Sequence, residues 1–252
     1  MIIEDLEVHS NFEIAKNTFL IKTHSPNLSS IVRPGQFCNL KVTETETPLL
    51  RRPFSISDVD GQYVSFMYKV VGVGTKILSK MKTGDFINAL APLGNSFNSN
   101  ENFEHAILIG GGIGIAPFPF LINGLKQKKD FTVLFGVRSK EEAHQFGLEN
   151  ISYSSDDGTI GIKGNVVDLL KIELQKIDNK KVKIFACGPT QMLKGLQSFC
   201  VANDLDGEVS LESAMACGFG ICQGCPVEST EQEAYKLICK DGPVFNIKEV
   251  VL

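Results

Sequence analysis

The chain lacks an apolar run long enough to cross a membrane as a helix. The one stretch that imitates a span, Ala106 to Ile122, is apolar or glycine and proline throughout. It falls short of the roughly 20 residues a span needs, and Gly110, Gly111, Gly112, Gly114, Pro117 and Pro119 crowd it. It reads as strand, glycine loop and helix. A basic stripe is also missing: the net charge is −4, which argues against nucleic-acid binding. The opening Met1-Ile2-Ile3-Glu4-Asp5 has no positive n-region of a signal peptide, so a cytoplasmic location is expected. Histidine is scarce. His9, His24, His105 and His144 all precede the cysteine-rich end and have no ligand spacing. No Ser/His/Asp or Cys/His set stands in a motif context, so no catalytic residue for an organic substrate is expected. Internal repeats and low-complexity tracts are absent.

What the chain does have is cysteine in an unusual pattern. Cys217, Cys222, Cys225 and Cys239 form C-x4-C-x2-C with a fourth ligand further on. That is the plant-type [2Fe–2S] spacing. Gly218, Gly220 and Gly224 lie between the ligands, as a loop needs if its backbone N–H groups are to curl close to sulfur. A structural zinc site is the competing reading. It usually pairs C-x2-C with a second C-x2-C or a histidine pair, and only one C-x2-C exists here. Disulfides would need an oxidising compartment. Cys38 and Cys200 read as small buried hydrophobes.

With 252 residues, 43% of them hydrophobic, the chain fits two domains and an appendage. Residues 1–97 read as all-β, a small barrel or sandwich. Short runs such as Thr18–Lys22 and Tyr63–Tyr68 alternate with turns at Pro34-Gly35, Asp60-Gly61 and Gly84-Asp85. Residues 98–104 read as a linker. Residues 105–205 alternate strand and helix, which implies a parallel α/β sheet. Strands are expected at His105–Ile109, Phe131–Val137 and Lys181–Ala186. Helices are expected at Ile115–Lys128, Val166–Lys176 and Gln191–Asn203. Residues 207–252 carry the cysteines and end on the strand-like Glu249–Leu252.

Four further motifs bear on chemistry. Gly110-Gly111-Gly112-Ile113-Gly114-Ile115-Ala116-Pro117 joins a strand to a helix, a context that suits a pyrophosphate, or else a plain tight turn. It departs from G-x-G-x-x-G, and Arg138, not an acid, follows the second strand. Arg138 suits a 2′-phosphate or is a solvated charge. Arg51-Arg52-Pro53-Phe54-Ser55 joins a guanidinium able to grip phosphate to an aromatic and a hydroxyl that suit a flavin edge. Gly72-Val73-Gly74-Thr75 precedes a helix expected at Lys76–Lys80. Cys187-Gly188-Pro189 opens another helix with proline in its first turn.

In this order the motifs resemble the ferredoxin–NADP reductase superfamily. The implied fold is a flavin-binding β-barrel and a nicotinamide-binding α/β domain, followed by a small C-terminal iron–sulfur segment. Leu211-Glu212, Met215-Ala216-Cys217-Gly218 and Cys239-Lys240-Asp241-Gly242-Pro243 narrow it. The chain is similar to electron-transfer subunits of class 1B dihydroorotate dehydrogenases. The resemblance implies FAD contacts at Arg52, Pro53, Phe54, Ser55, Met67, Tyr68, Lys69, Gly74 and Thr75. It implies NAD contacts at Gly110, Gly111, Gly112, Gly114, Pro117, Cys187, Gly188 and Pro189. It implies a [2Fe–2S] cluster on Cys217, Cys222, Cys225 and Cys239. The implied partner is an FMN-containing dihydroorotate dehydrogenase catalytic subunit, in a heterotetramer of pyrimidine biosynthesis. The same machinery suits an NAD(P)H-oxidising subunit of a sulfhydrogenase or a ferredoxin-linked transhydrogenase. Phe219 and Ile221, between the ligands, either add to an exposed interface or pack inward.

Overall fold

The computed structural model describes every residue except 44, 46, 178, 179, 232 and 233. The first half comprises β1 (Ile2–Ala15), β2 (Thr18–His24), α1 (Pro26–Ile31), β3 (Phe37–Lys41), β4 (Arg52–Asp60), β5 (Tyr63–Lys69), α2 (Val73–Leu78) and β6 (Phe86–Leu93). The six strands close into an antiparallel barrel in the order β1-β2-β5-β4-β3-β6. Alternation dictates this closure. Leu6 and Val8 on β1, Leu40 on β3, Ile56 on β4 and Val64 and Phe66 on β5 are fully or almost fully buried inside. Ser25 caps α1 by accepting from the Leu28 N–H at 3.1 Å, with Pro26 in the first turn.

The second half contains β7 (His105–Gly111), α3 (Phe118–Leu125), β8 (Asp130–Val137), β9 (Ile151–Ser155), β10 (Ile162–Lys163), α4 (Val166–Leu174) and β11 (Val182–Cys187). It continues with α5 (Thr190–Ala202), β12 (Asp206–Ser210), β13 (Pro226–Glu228), β14 (Tyr235–Leu237) and β15 (Val244–Asn246). Seven strands form one sheet, β10-β9-β8-β7-β11-β12-β15, parallel except for β15. Ile107–Ile109, Val133–Phe135 and Ile184–Ala186 are at most 1% exposed, because helices cover both faces of the central strands. β15 and its antiparallel pairing tie the cysteine-bearing end of the chain to this sheet. No helix among the described residues is long and apolar enough to cross a membrane.

Three elements differ from those expected. The helix expected over Ile115–Lys128 is a 3₁₀ turn at Gly112–Ile115 followed by the short α3. Pro117 and Pro119 lack the N–H that would continue a helical ladder through them. The helix expected at Lys76–Lys80 is α2, which starts earlier, at Val73. Glu249–Leu252 forms no strand and makes only the isolated bridge Ser229–Val250; the sheet edge is β15 instead.

The barrel and sheet are fastened by charge as well as apolar contact. Lys183 on β11 is 2% exposed and lies 2.8 Å from Glu208. It also pairs with Glu101 and reaches the Asn98 carbonyl, so it grips the segment after the barrel. The Asn98 N–H donates to Glu208 at 2.9 Å. Lys69 at the end of β5 pairs with Glu142 at 2.6 Å, and Lys16 in the β1–β2 turn pairs with Glu141.

A buried charge stripped of its partner is expensive. Lys183→Ala leaves Glu208 enclosed without its cation and is expected to lower unfolding free energy by about 3 kcal/mol. Lys180→Ala, which breaks an exposed pair with Asp130, is expected to be neutral in the same denaturant titration. Equal effects from the two variants would contradict this account.

Candidate functional site

The start of β4 and the end of β5 lie side by side on the barrel and face the second domain. Between them is a cavity of about 300 Å³. Arg52, Pro53, Phe54, Ser55, Met67, Tyr68, Lys69 and Thr75 line it from the barrel. Ile113, Ala116 and Leu211 close it from the other domain, and Met215 and Pro243 from the cysteine-bearing segment. Phe54 and Tyr68 meet edge-on at 6.0 Å, and the Tyr68 hydroxyl donates to Asn11 at 2.9 Å. Gly74 lies outside the lining and packs on Arg52. A β-carbon there would sit 2.9 Å from the guanidinium Nε. The Thr75 hydroxyl accepts from the Val71 and Gly72 N–H groups at 2.9 and 3.1 Å and so organises the turn into α2.

A second cavity of about 470 Å³ opens at the C-terminal edge of the parallel strands. Gly111, Gly112, Ile113 and Gly114 form one wall and Gly188, Pro189 and Met192 another. The two loops interlock. A β-carbon on Gly114 would lie 2.3 Å from the Cys187 carbonyl oxygen. Gly110, Pro117 and Cys187 are set back from the lining. Gly110 is covered by Ile115, and Cys187 is 1% exposed beside Ser210. Burial, with the Glu212 charge adding, pushes the Cys187 thiol up.

The far wall of this cavity was not legible in the sequence. Ser154, Asp156, Gly164 and Asn165 line it, carried by β9 and by the turn into α4. Ser154 is fully buried and its hydroxyl has no protein partner. Arg138 lines the cavity beside two carboxylates, Glu142 and Asp156. Burial works to raise Glu142, but Lys69 and the N–H and charge of Arg138 prevail and hold its carboxyl below the ordinary range. Lys69 and Glu212 line both cavities. Glu212 is open to cavity space yet walled by protein on most sides, and that desolvation raises its carboxyl.

The four cysteines gather at the remaining edge of the barrel. Cys225 and Cys239 are buried with their sulfurs 3.2 Å apart. The Cys239 N–H approaches the Cys225 sulfur at 3.4 Å, and the Cys222 N–H approaches the Cys217 sulfur at 3.4 Å. Burial tends to raise Cys217, but N–H donors at Cys222, Phe219 and Ile221 outweigh it and bring the thiol down to about 6. Among the described residues, no three ligating side chains yet meet at one point. The loop nevertheless fits a cluster, because it aims N–H groups at sulfur and turns through Gly218 at φ +81°. Phe219 is 37% and Ile221 75% exposed, so Ile221 in particular faces solvent.

Comparison with known proteins adds to this geometry. The model for the iron–sulfur cluster binding domain of dihydroorotate dehydrogenase B matches residues 212–251. A dihydroorotate dehydrogenase B (NAD(+)) electron transfer subunit from Fusobacterium nucleatum is 36% identical over 262 residues, covering 99% of each chain. The chain belongs to the family of dihydroorotate dehydrogenase B electron transfer subunits. A member from Clostridium acetobutylicum is 38% identical over 88% of this chain and 87% of its own. Among solved structures, an NADH-dependent reduced ferredoxin–NADP oxidoreductase studied for flavin-based electron bifurcation has a TM-score of 0.85. It is 31% identical and covers 98% of this chain and 89% of its own. A ferredoxin NADP+ reductase from Neisseria gonorrhoeae, with bound FAD and NADP, has a TM-score of 0.64 at 18% identity, covering 81% and 91%. That likeness is one of fold.

The loop interlock is testable through two glycines. Gly114→Ala forces the loops apart and is expected to lower the melting temperature by several degrees. Gly124→Ala, with open space around it in α3, is expected to be neutral or slightly stabilising. A melting temperature unchanged by Gly114→Ala would contradict the contact.

Proposed function

We propose that this chain is the electron-transfer subunit of a dihydroorotate dehydrogenase. It passes electrons from a partner catalytic subunit containing FMN through a [2Fe–2S] cluster and FAD to NAD, in the cytoplasm. The observation that carries the reading is the meeting of three sites along one line of contact. Pro243 and Met215 of the cysteine-bearing segment line the barrel cavity, and that cavity shares Lys69, Ile113 and Glu212 with the glycine-loop cavity. FAD held there would supply the chemistry that links a two-electron hydride exchange with NAD to one-electron exchange with the cluster.

The chain's own residues do the holding. Arg52, braced by Gly74 and bonded to the Leu50 carbonyl, offers its guanidinium to the FAD pyrophosphate. Pro53, Phe54 and Ser55 flank the flavin on β4, with Met67, Tyr68 and Lys69 on β5. Gly74 and Thr75 shape the turn beside the phosphates. Gly111, Gly112 and Gly114 with Gly188 and Pro189 receive NAD. Gly110, Pro117 and Cys187 support those loops from behind. Cys217, Cys222, Cys225 and Cys239 hold the cluster, Ile221 and Phe219 facing the partner. On this assignment residues 1–97 serve FAD, 105–205 serve NAD and 207–252 serve the cluster. Arg138 shares its cavity with Glu142 and Asp156, which disfavours a 2′-phosphate and supports NAD over NADP. The 31% identity to the ferredoxin–NADP oxidoreductase keeps the transhydrogenase reading in view, but the family model on residues 212–251 and the 36–38% identities favour the orotate reading.

Two outcomes are expected. Adding a catalytic dihydroorotate dehydrogenase subunit to the purified chain creates dihydroorotate-dependent NAD reduction, and Ile221→Asp weakens it. Failure of the two to co-elute or couple, with flavin and iron intact, points to a different complex. Removing the Arg52 guanidinium, a contact of roughly 1.5–3 kcal/mol, weakens FAD retention by one to two decades in Arg52→Ala. FAD occupancy equal to wild type would contradict the assignment of Arg52.

A further inference from the structure

Two asparagines of the barrel fasten the two ends of the cysteine-bearing loops. Asn39 sits in the middle of β3, directly opposite Pro53 of β4, and is 1% exposed. Its Nδ2 donates to the Cys217 carbonyl at 3.2 Å. Among the described residues its Oδ1 is buried without a partner, and the amide's one side-chain bond is to the carbonyl of the first cluster ligand. The contact is tight on the other side as well. Gly218 turns at φ +81°, and a β-carbon there would lie 2.0 Å from Asn39 Nδ2.

Asn95, just beyond β6, takes the other end. Its N–H donates to the Gly242 carbonyl at 2.7 Å. Its Nδ2 donates to the carbonyls of Asp241 and Val244 at 3.2 and 2.7 Å, and its Oδ1 accepts from the Val244 N–H at 2.9 Å. That turn begins two residues after Cys239 and contains Pro243, which lines the barrel cavity. The first and last cysteines of the set are therefore each tied to a barrel strand within a few residues. One of those strands neighbours β4, which carries Arg52 to Ser55. The same turn is also tied to the parallel sheet, by the Leu211 N–H to the Pro243 carbonyl at 2.9 Å and by the Ser210–Val244 pair of β12 and β15, while Gln197 holds the Ile247 and Val250 carbonyls further along the chain.

We propose that Asn39 and Asn95 are positioning residues that lock the cluster loops onto the flavin barrel and so set the cluster-to-flavin electron step, independently of the hydride step with NAD. The inference rests on the function proposed above. Electron transfer falls steeply with the gap between centres, so loosening either tie slows that step. NAD exchange takes place on the other side of the flavin cavity, against loops that neither asparagine touches.

The test is rapid-mixing reduction of the full chain by NADH without oxygen, following flavin and cluster absorption separately, with the EPR spectrum of the reduced cluster as a second readout. In Asn39→Ala and Asn95→Ala the cluster is expected to be reduced about tenfold or more slowly, with flavin reduction within about twofold of wild type. Asn95→Asp, which keeps the acceptor for the Val244 N–H and loses the donor, is expected to fall between. Asn39→Leu, which keeps the volume and loses the donor, is expected to match Asn39→Ala. Unchanged cluster reduction overturns the proposal, and so does equal slowing of both steps. Loss of the cluster from every variant assigns the asparagines to holding the loop fold alone and also overturns it. A wild-type chain without flavin or iron colour is a failure of the functional reading, visible before any variant is made, and the proposal falls with it.

Discussion

No β-carbon fits where Gly114 meets the Cys187 carbonyl; an alanine would come within 2.3 Å of that oxygen. The same constraint recurs where Gly74 lies on the Arg52 guanidinium and where Gly218 lies under Asn39. At Gly114 two backbones distant in sequence meet, and at Gly74 and Gly218 a backbone meets a side chain from a distant segment with no room for a β-carbon. A phosphate or a sulfur ligand is stabilised by N–H groups and guanidinium held in place before it arrives, and that requires chain segments closer than side chains allow. The cavities and the cysteine loops therefore depend on glycine at a handful of positions. The barrel and the parallel sheet are the frame that brings those positions together.

Charge finishes what backbone contact begins. Lys183 pairs with Glu208 inside the junction and with the more exposed Glu101, which fixes the segment after the barrel against β11. Lys69 and Glu142 pair at 2.6 Å between the two cavities, and the N–H and charge of Arg138 also favour that carboxylate. Glu212 lines both cavities with its carboxyl raised by desolvation. The region between the barrel and the glycine loop is thus close to balanced in charge, which suits a cofactor that brings its own phosphates to Arg52 and to loop N–H groups.

Legibility in the sequence followed the range of the interaction. The cysteine spacing, the glycine loop and the Arg52–Ser55 run are local patterns, and each could be read directly. The closed barrel followed from short strands and turns, and the parallel sheet from the alternation of apolar runs. α3 is shorter than its apolar pattern implies because that pattern continues through Pro117 and Pro119, where hydrogen bonding cannot. β9 escaped notice because Ile151-Ser152-Tyr153-Ser154-Ser155 is mostly polar, and its burial comes from β8 and α4, not from its own composition. Ser154, Asp156 and Glu212 could not be placed in a site at all, since only the folded sheet brings them beside the glycine loop. The strand expected at Glu249–Leu252 failed because Val244–Asn246 had already filled the edge beside β12.

The central claim is that one chain holds a one-electron centre and a two-electron centre in contact. Its most direct test is metal, sulfide and flavin analysis of the anaerobically purified protein, followed by EPR after reduction with NADH. The account predicts about two iron and two sulfide with one FAD per chain, and a reduced-cluster signal that is lost in Cys222→Ser. Stoichiometric zinc with no iron, or a chain that binds no flavin, would contradict it.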